Sequence, residues 1–269
     1  MLATINSLVC RPPRRRGKAF LALAVLVSIL AAFSAAAAST NSAGMTSAPE
    51  RARSAFNEAR QQYEDAPSDP ERTIKFAQAC FDLAEAVTRD KEREQIANRG
   101  ITVCRALIAR SPKLPAGHYY LGMNLGQLAR TKSLGALKLV EEMEHEFETT
   151  VGLDANFDFA GPHRNLGLLY YEAPSWPASI GSKSKARQHL ERAVTLSPKY
   201  PENHLNLLEA YLKWNDKIGA RRELAALRDL LPQAKKEFNG DAWSGTWKDW
   251  DFRWQNLRNK TARIIRDEE

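Results

Sequence analysis

Three histidines are the first residues to test for chemistry. His118, His163 and His204 each open the same pattern, His-x-x-Leu followed by Gly or Leu, in separate stretches of the chain. Imidazole is a common metal ligand and general base, so a recurring histidine raises both possibilities. Their spacing argues against a metal. Equivalent positions on neighbouring packed helices stand on the order of 8–10 Å apart, and one ion bonded at about 2 Å cannot bridge that series. Packing positions are the better reading. Other chemical motifs fail in turn. His145-Glu146 begins a zinc pair that breaks at Thr149. Gly181-Ser182-Lys183-Ser184 lacks the order of a phosphate loop, and no G-x-S-x-G or C-x-x-C occurs. The chain reads as a non-enzyme, with no catalytic residue, metal or cofactor expected.

At the level of the whole chain, 269 residues with 43% apolar and 26% charged side chains are enough for a real core. The formal charge of +7 is unevenly placed. Arg11, Arg14, Arg15, Arg16 and Lys18 precede an apolar run from Ala19 to Phe33, and Ala36-Ala37-Ala38 follows. These are the n-region, h-region and cleavage site of a secretory signal over 1–38, with a flexible linker at 39–50. Cleavage leaves 34 basic against 32 acidic residues, which removes the electrostatic case for nucleic acid. The expected location is periplasmic or secreted. Membrane contact follows only if the segment stays as an uncleaved anchor, for which 19–38 is near the minimum span.

Export places Cys80 and Cys104 in an oxidising compartment. Their midpoint, residue 92, falls in the polar stretch Arg89–Glu94. If that stretch is the bend of a helical hairpin, the thiols face each other and a disulfide is expected. Two small buried apolar side chains are the other reading.

From Arg51 onward apolar residues recur at three and four, which predicts an all-α chain. Its units are related. His204-x-x-Leu207-Leu208-x-x-Tyr211 is followed by Ala220, Leu224 and Pro232, and His163-x-x-Leu166-Gly167-x-x-Tyr170 by Ala186, Leu190 and Pro198. The Ala, Leu and Pro of the two units are 34 residues apart. His118-x-x-Leu121-Gly122-x-x-Leu125, then Phe147, is an earlier unit. The chain thus resembles tetratricopeptide repeat (TPR) proteins, with His in place of the packing Trp. The resemblance implies a right-handed solenoid of stacked helical hairpins. Three units cover 115–238, and a degenerate one lies within 51–114, from about Glu71 to Pro112. The spacings His118–His163 and His163–His204, 45 and 41 residues, exceed the period. Both excesses are expected between the two helices of a hairpin, at Arg130–Leu139 and at Glu172–Lys185. Insertions there emerge on one edge of the solenoid, which makes Trp176 a candidate contact.

A narrower likeness lies in GHYYLGMNLGQLARTKSLGALKLVEEME, GPHRNLGLLYYEAP, GSKSKARQHLERAV and YPENHLNLLEAYLK. Over Ala116–Lys213 the chain resembles the TPR-like T-component of tripartite periplasmic (TRAP-type) transporters. The resemblance implies a periplasmic helical protein working beside a solute-binding protein. Members are commonly lipoproteins, whereas here the only cysteine near the signal, Cys10, precedes its h-region.

The final segment, 239–269, carries Trp243, Trp247, Trp250 and Trp254 at steps of four, three and four. On a helix they share one face, with Lys248, Asp249, Asp251 and Arg253 elsewhere and Asp241 as N-cap. The row caps the open end of the solenoid or, in the alternative, docks a partner or membrane.

TPR inner helices turn fixed repeat positions towards a concave groove. By the resemblance these are Tyr119, Met123 and Gln127, then Arg164, Leu168, Tyr171 and Glu172, then Leu205, Glu209 and Lys213. Such a mixture suits a peptide segment or small solute. The expected function is a binding or scaffold protein with a protein partner, an accessory to solute uptake. An envelope-assembly scaffold held at the membrane is the alternative.

Overall fold

The structure, a computed structural model, describes residues 47–132 and 135–266, with side chains described as far as Thr261. The signal segment and most of the linker lie outside the described residues. Among the described residues the chain forms ten α-helices: α1 Ala48–Asp65, α2 Pro70–Ala86, α3 Asp90–Arg110, α4 Pro115–Ala129, α5 Ala136–Leu153, α6 Phe157–Glu172, α7 Lys183–Leu196, α8 Pro201–Lys213, α9 Lys217–Glu237 and α10 Ser244–Arg266. None of them is long and apolar enough to cross a membrane. The first begins inside the expected linker. Ser47 and Glu50 form a reciprocal capping box that starts α1 three residues before Arg51.

Helices α2/α3, α4/α5, α6/α7 and α8/α9 are antiparallel hairpins stacked in chain order, giving an all-α solenoid. Each first helix also packs on the next first helix: α2 on α4, α4 on α6 and α6 on α8. The second helices α3, α5, α7 and α9 lie outside and pack chiefly against these inner ones. At the N-terminal end α1 covers the stack, with the Tyr63 ring stacked on Phe76 at 5.2 Å.

Several expectations shift. The bend of α2/α3 is Val87–Arg89, not a loop centred on residue 92. Arg93 is buried and caps the end of α2, its guanidinium donating to the Ala84 and Val87 carbonyls. Cys80 and Cys104 are both free. They pack as fully buried small apolar side chains, and burial pushes the Cys80 thiol up to about 12.

The second repeat insertion lies where expected, as the ten-residue loop 173–182. The first, which includes residues outside the described set, is divided. Helix α4 ends at Ala129 and α5 already begins at Ala136, so part of the excess lengthens α5 and the α5–α6 junction. Pro232 does not end its unit either, since α9 continues through it to Glu237.

That extension meets the tryptophan row. Trp250 is fully buried, its indole NH donating to Glu202 at 2.6 Å, with Tyr200, Phe238, Trp243 and Trp247 around it. Trp243, Trp247 and Trp254 are half-buried against the same cluster. Helix α10 packs on α8 and α9 and covers the C-terminal end of the stack. Asp241 begins a 3-10 turn instead of capping α10. Arg253, expected on the polar face, is buried among Glu202, Glu209 and Asn206.

Two outcomes follow from this packing. Iodoacetamide applied without reductant should label Cys80 and Cys104 only after denaturation. Labelling that also requires a reductant would reveal a disulfide. Trp250→Ala should cost about 3–5 kcal/mol, as for other buried aromatic truncations, read from urea unfolding by circular dichroism.

Candidate functional site

The inner helices meet at a buried polar knot. At the start of α6 the backbone is left-handed over three non-glycine residues: Asp158, Phe159 and Ala160 have φ of 48°, 55° and 60°. Each costs on the order of 1–2 kcal/mol, so the turn needs external support. Arg164, one turn on, supplies it. Its guanidinium donates to the Asp158 and Phe159 carbonyls, to the Asp158 carboxylate at 2.9 Å and to Asn203 on α8 at 3.1 Å. The Tyr119 hydroxyl on α4 donates to the same carboxylate at 2.5 Å. One arginine thus ties three successive inner helices together.

This knot fixes the fate of the expected groove residues. Tyr119 and Arg164 are interior, as is Gln127, whose amide donates to Glu85 at 2.6 Å beside Arg130. Leu205 is fully buried, and Glu209 is held by the Arg253 of the cap. These five serve packing between repeats. Met123, Leu168, Tyr171 and Glu172 remain half-buried, and Lys213 is exposed. The Lys213 ammonium lies 4.4 Å from the Tyr171 ring centroid, a cation–π contact joining α8 to α6. Burial raises the Glu172 carboxyl, with Lys213 opposing and Glu209 adding to the rise. On the loop edge Trp176 is 85% exposed, well apart in environment from the inner row.

Sequence reasoning missed Asp82, Tyr120, Phe157 and Asp158. Counting α2 from Pro70 as α4 is counted from Pro115 puts Asp82 in register with Gln127, and this phase was available in the sequence. Tyr120 and Phe157 are half-buried and meet edge-on, with 6.4 Å between centroids. Asp82 is open to solvent, but the protein mass around it, then the Asp158 and Glu85 charges, push its carboxyl up to about 7.

Two of the recurring histidines clamp helices together. His118 Nδ1 meets Glu146 at 2.6 Å and Nε2 meets the Pro112 carbonyl at 2.9 Å. His204 repeats the arrangement with Glu223 at 2.8 Å and the Pro198 carbonyl at 2.9 Å. Each clamp pins an inner helix to its outer partner and to the preceding turn. His163 differs, its Nδ1 facing His189 Nδ1 at 3.0 Å. Among the described residues no cluster of three or more metal-ligating side chains occurs.

No family model and no curated protein matches the chain. Among solved structures it is similar to TTC0263, a thermophilic TPR protein of Thermus thermophilus, with a TM-score of 0.58 and 20% identity over 77% of this chain and 91% of that one. The fold is TPR-like. Its helices pack in consecutive pairs, and α1 and α10 close the ends of the TPR-like stack.

The Asp82 carboxyl gives this surface a pH signature. A folded value above the usual carboxylate range means that the folded chain holds the proton more tightly, so stability falls as pH rises from about 4 to about 7. Asp82→Asn should therefore unfold at higher urea than the parent at pH 8 and at nearly the same urea at pH 4. An advantage that grows towards acid would contradict this placement.

Proposed function

We propose that the chain is a non-catalytic scaffold whose inner-helix face binds a protein partner. The observation that carries this reading is the division of the inner row into a locked frame and a free surface. Arg164, Asp158 and Tyr119 fix the helices, while Met123, Leu168, Tyr171 and Lys213 stay accessible on them. A TPR-like array is suited to this, because stacked hairpins present an extended surface without a covering layer. Half-exposed Tyr and Met beside charged groups are the composition of a protein-binding patch, and a frame set in advance lowers the ordering cost of association.

The partner we infer is a periplasmic solute-binding protein, with the chain exported and acting as an accessory to TRAP-type uptake. This rests on the signal-like 1–38 segment and on the motif likeness over Ala116–Lys213.

The test is mild cross-linking and mass spectrometry of the tagged, naturally exported protein, beside a Tyr171→Ala/Lys213→Glu variant. The expected leading partner is a solute-binding protein, reduced at least about tenfold by the double variant with its circular dichroism unchanged. Undiminished capture by a folded variant would overturn the role of the inner face. Envelope-assembly factors in place of the solute-binding protein would overturn the transport role.

A further inference from the structure

The outer surface carries a second concavity. The splay of the outer helices leaves an open groove of about 760 Å³ along α7, running from Lys183 to Thr195 with His163 and His189 among its lining. Twelve residues of helical rise make it roughly 18 Å long. Its charges are unbalanced. Glu191 accepts from the Tyr211 hydroxyl and pairs with Arg187, which also pairs with Asp216. Lys183 and Arg192 have no ion-pair partner among the described residues, and Lys183 rests near the Trp214 ring at 5.8 Å. Near His189, whose charged form they favour, Glu144 and Glu148 of α5 accept from the Tyr170 hydroxyl, and Lys185 pairs with Glu144.

Comparison among the chain's own hairpins shows what this groove lacks. Glu146, His189 and Glu223 occupy one repeat position, each directly before the apolar residue Phe147, Leu190 or Leu224. In α4/α5 and α8/α9 the carboxylate there meets the inner-helix histidine. In α6/α7 an imidazole stands in its place, and two Nδ1 atoms at 3.0 Å can share only one proton between them. His163 is held down to about 4 by burial, then by His189 and Arg192, and His189 is lowered by burial first.

We propose that the α7 groove binds an acidic segment of a partner protein, with one carboxylate against the His163–His189 pair, which replaces the histidine–glutamate pair of the neighbouring hairpins. Lys183 and Arg192 hold flanking carboxylates. The length of the groove suits an extended chain better than a small acid. A carboxylate at the pair favours the charged imidazole, so binding takes up a proton and tightens as pH falls. This surface is separate from the inner-helix face and does not depend on it.

The test is calorimetry of the full chain with a capped twelve-residue peptide rich in Glu and Asp, beside its Gln/Asn counterpart and inorganic phosphate. Measurements at pH 5.5 and 7.5 in buffers of different ionisation enthalpy count the protons. The acidic peptide should bind at least about tenfold tighter at pH 5.5, with proton uptake, and the neutral peptide should not bind. His189→Glu should restore the neighbouring clamp, keep or raise Tm, and weaken the peptide at least about tenfold. Arg192→Glu, an exposed change, should weaken it with the fold intact. Unchanged affinity in both variants, equal binding of the neutral peptide, or no proton uptake would overturn the proposal. Phosphate binding as tightly as the peptide would do so too, by reducing the groove to a general anion site.

Discussion

Close approach of the two helices within each hairpin is the constraint on which the structure rests. In three of the four hairpins it depends on a glycine where the helices cross. A Cβ on Gly122 would stand 2.7 Å from the Phe147 ring, and one on Gly167 would meet Leu190 at 2.7 Å and its backbone nitrogen at 3.0 Å. The last hairpin reverses the arrangement. Leu208 takes the inner position, and the missing Cβ is that of Gly219 on the outer helix, beneath Tyr211 at 2.9 Å. Helices that approach this closely bring the inner histidine within reach of the outer glutamate. They also leave apolar edges that only the next hairpin can cover, so the chain stacks and the stack needs ends.

What the sequence displayed was periodic, and what it concealed was long-range. The spacing of His163, Ala186, Leu190 and Pro198 against His204, Ala220, Leu224 and Pro232 encoded the hairpins, since successive hairpins bury equivalent residues against one another. Arg253 could not be placed this way. Periodicity puts it on the polar side, yet its partners Glu202, Asn206 and Glu209 lie 44 to 51 residues earlier and offset the cost of burying the guanidinium. The turn at Asp158–Ala160 was hidden for the same reason. Nothing local favours three left-handed residues there, and Arg164, Tyr119 and Asn203 hold them from three different helices. At Cys80 and Cys104 the expected hairpin is present, with its bend at Val87–Arg89, and the thiols are free.

The same buried network separates frame from surface. Half of the expected inner-face residues hold repeats together, and that role fixes the ones that remain accessible. Tyr171 and Lys213 meet across α6 and α8 because Arg164 and Asn203 have already set those helices. On the outside, the position filled by glutamate in two hairpins and by histidine in the third gives one repeat a chemistry its neighbours lack. A repeat array can thus carry distinct surfaces on one framework.

Hydrogen exchange of the intact protein, with and without its captured partner, tests the central claim about the inner face most directly. Added protection should fall on the peptides spanning Pro115–Ala129 and Phe157–Glu172 and on the end of α8 around Lys213, with the outer helix α3 unchanged. Protection confined to outer helices or to the cap, with none on α4, α6 or α8, would contradict it.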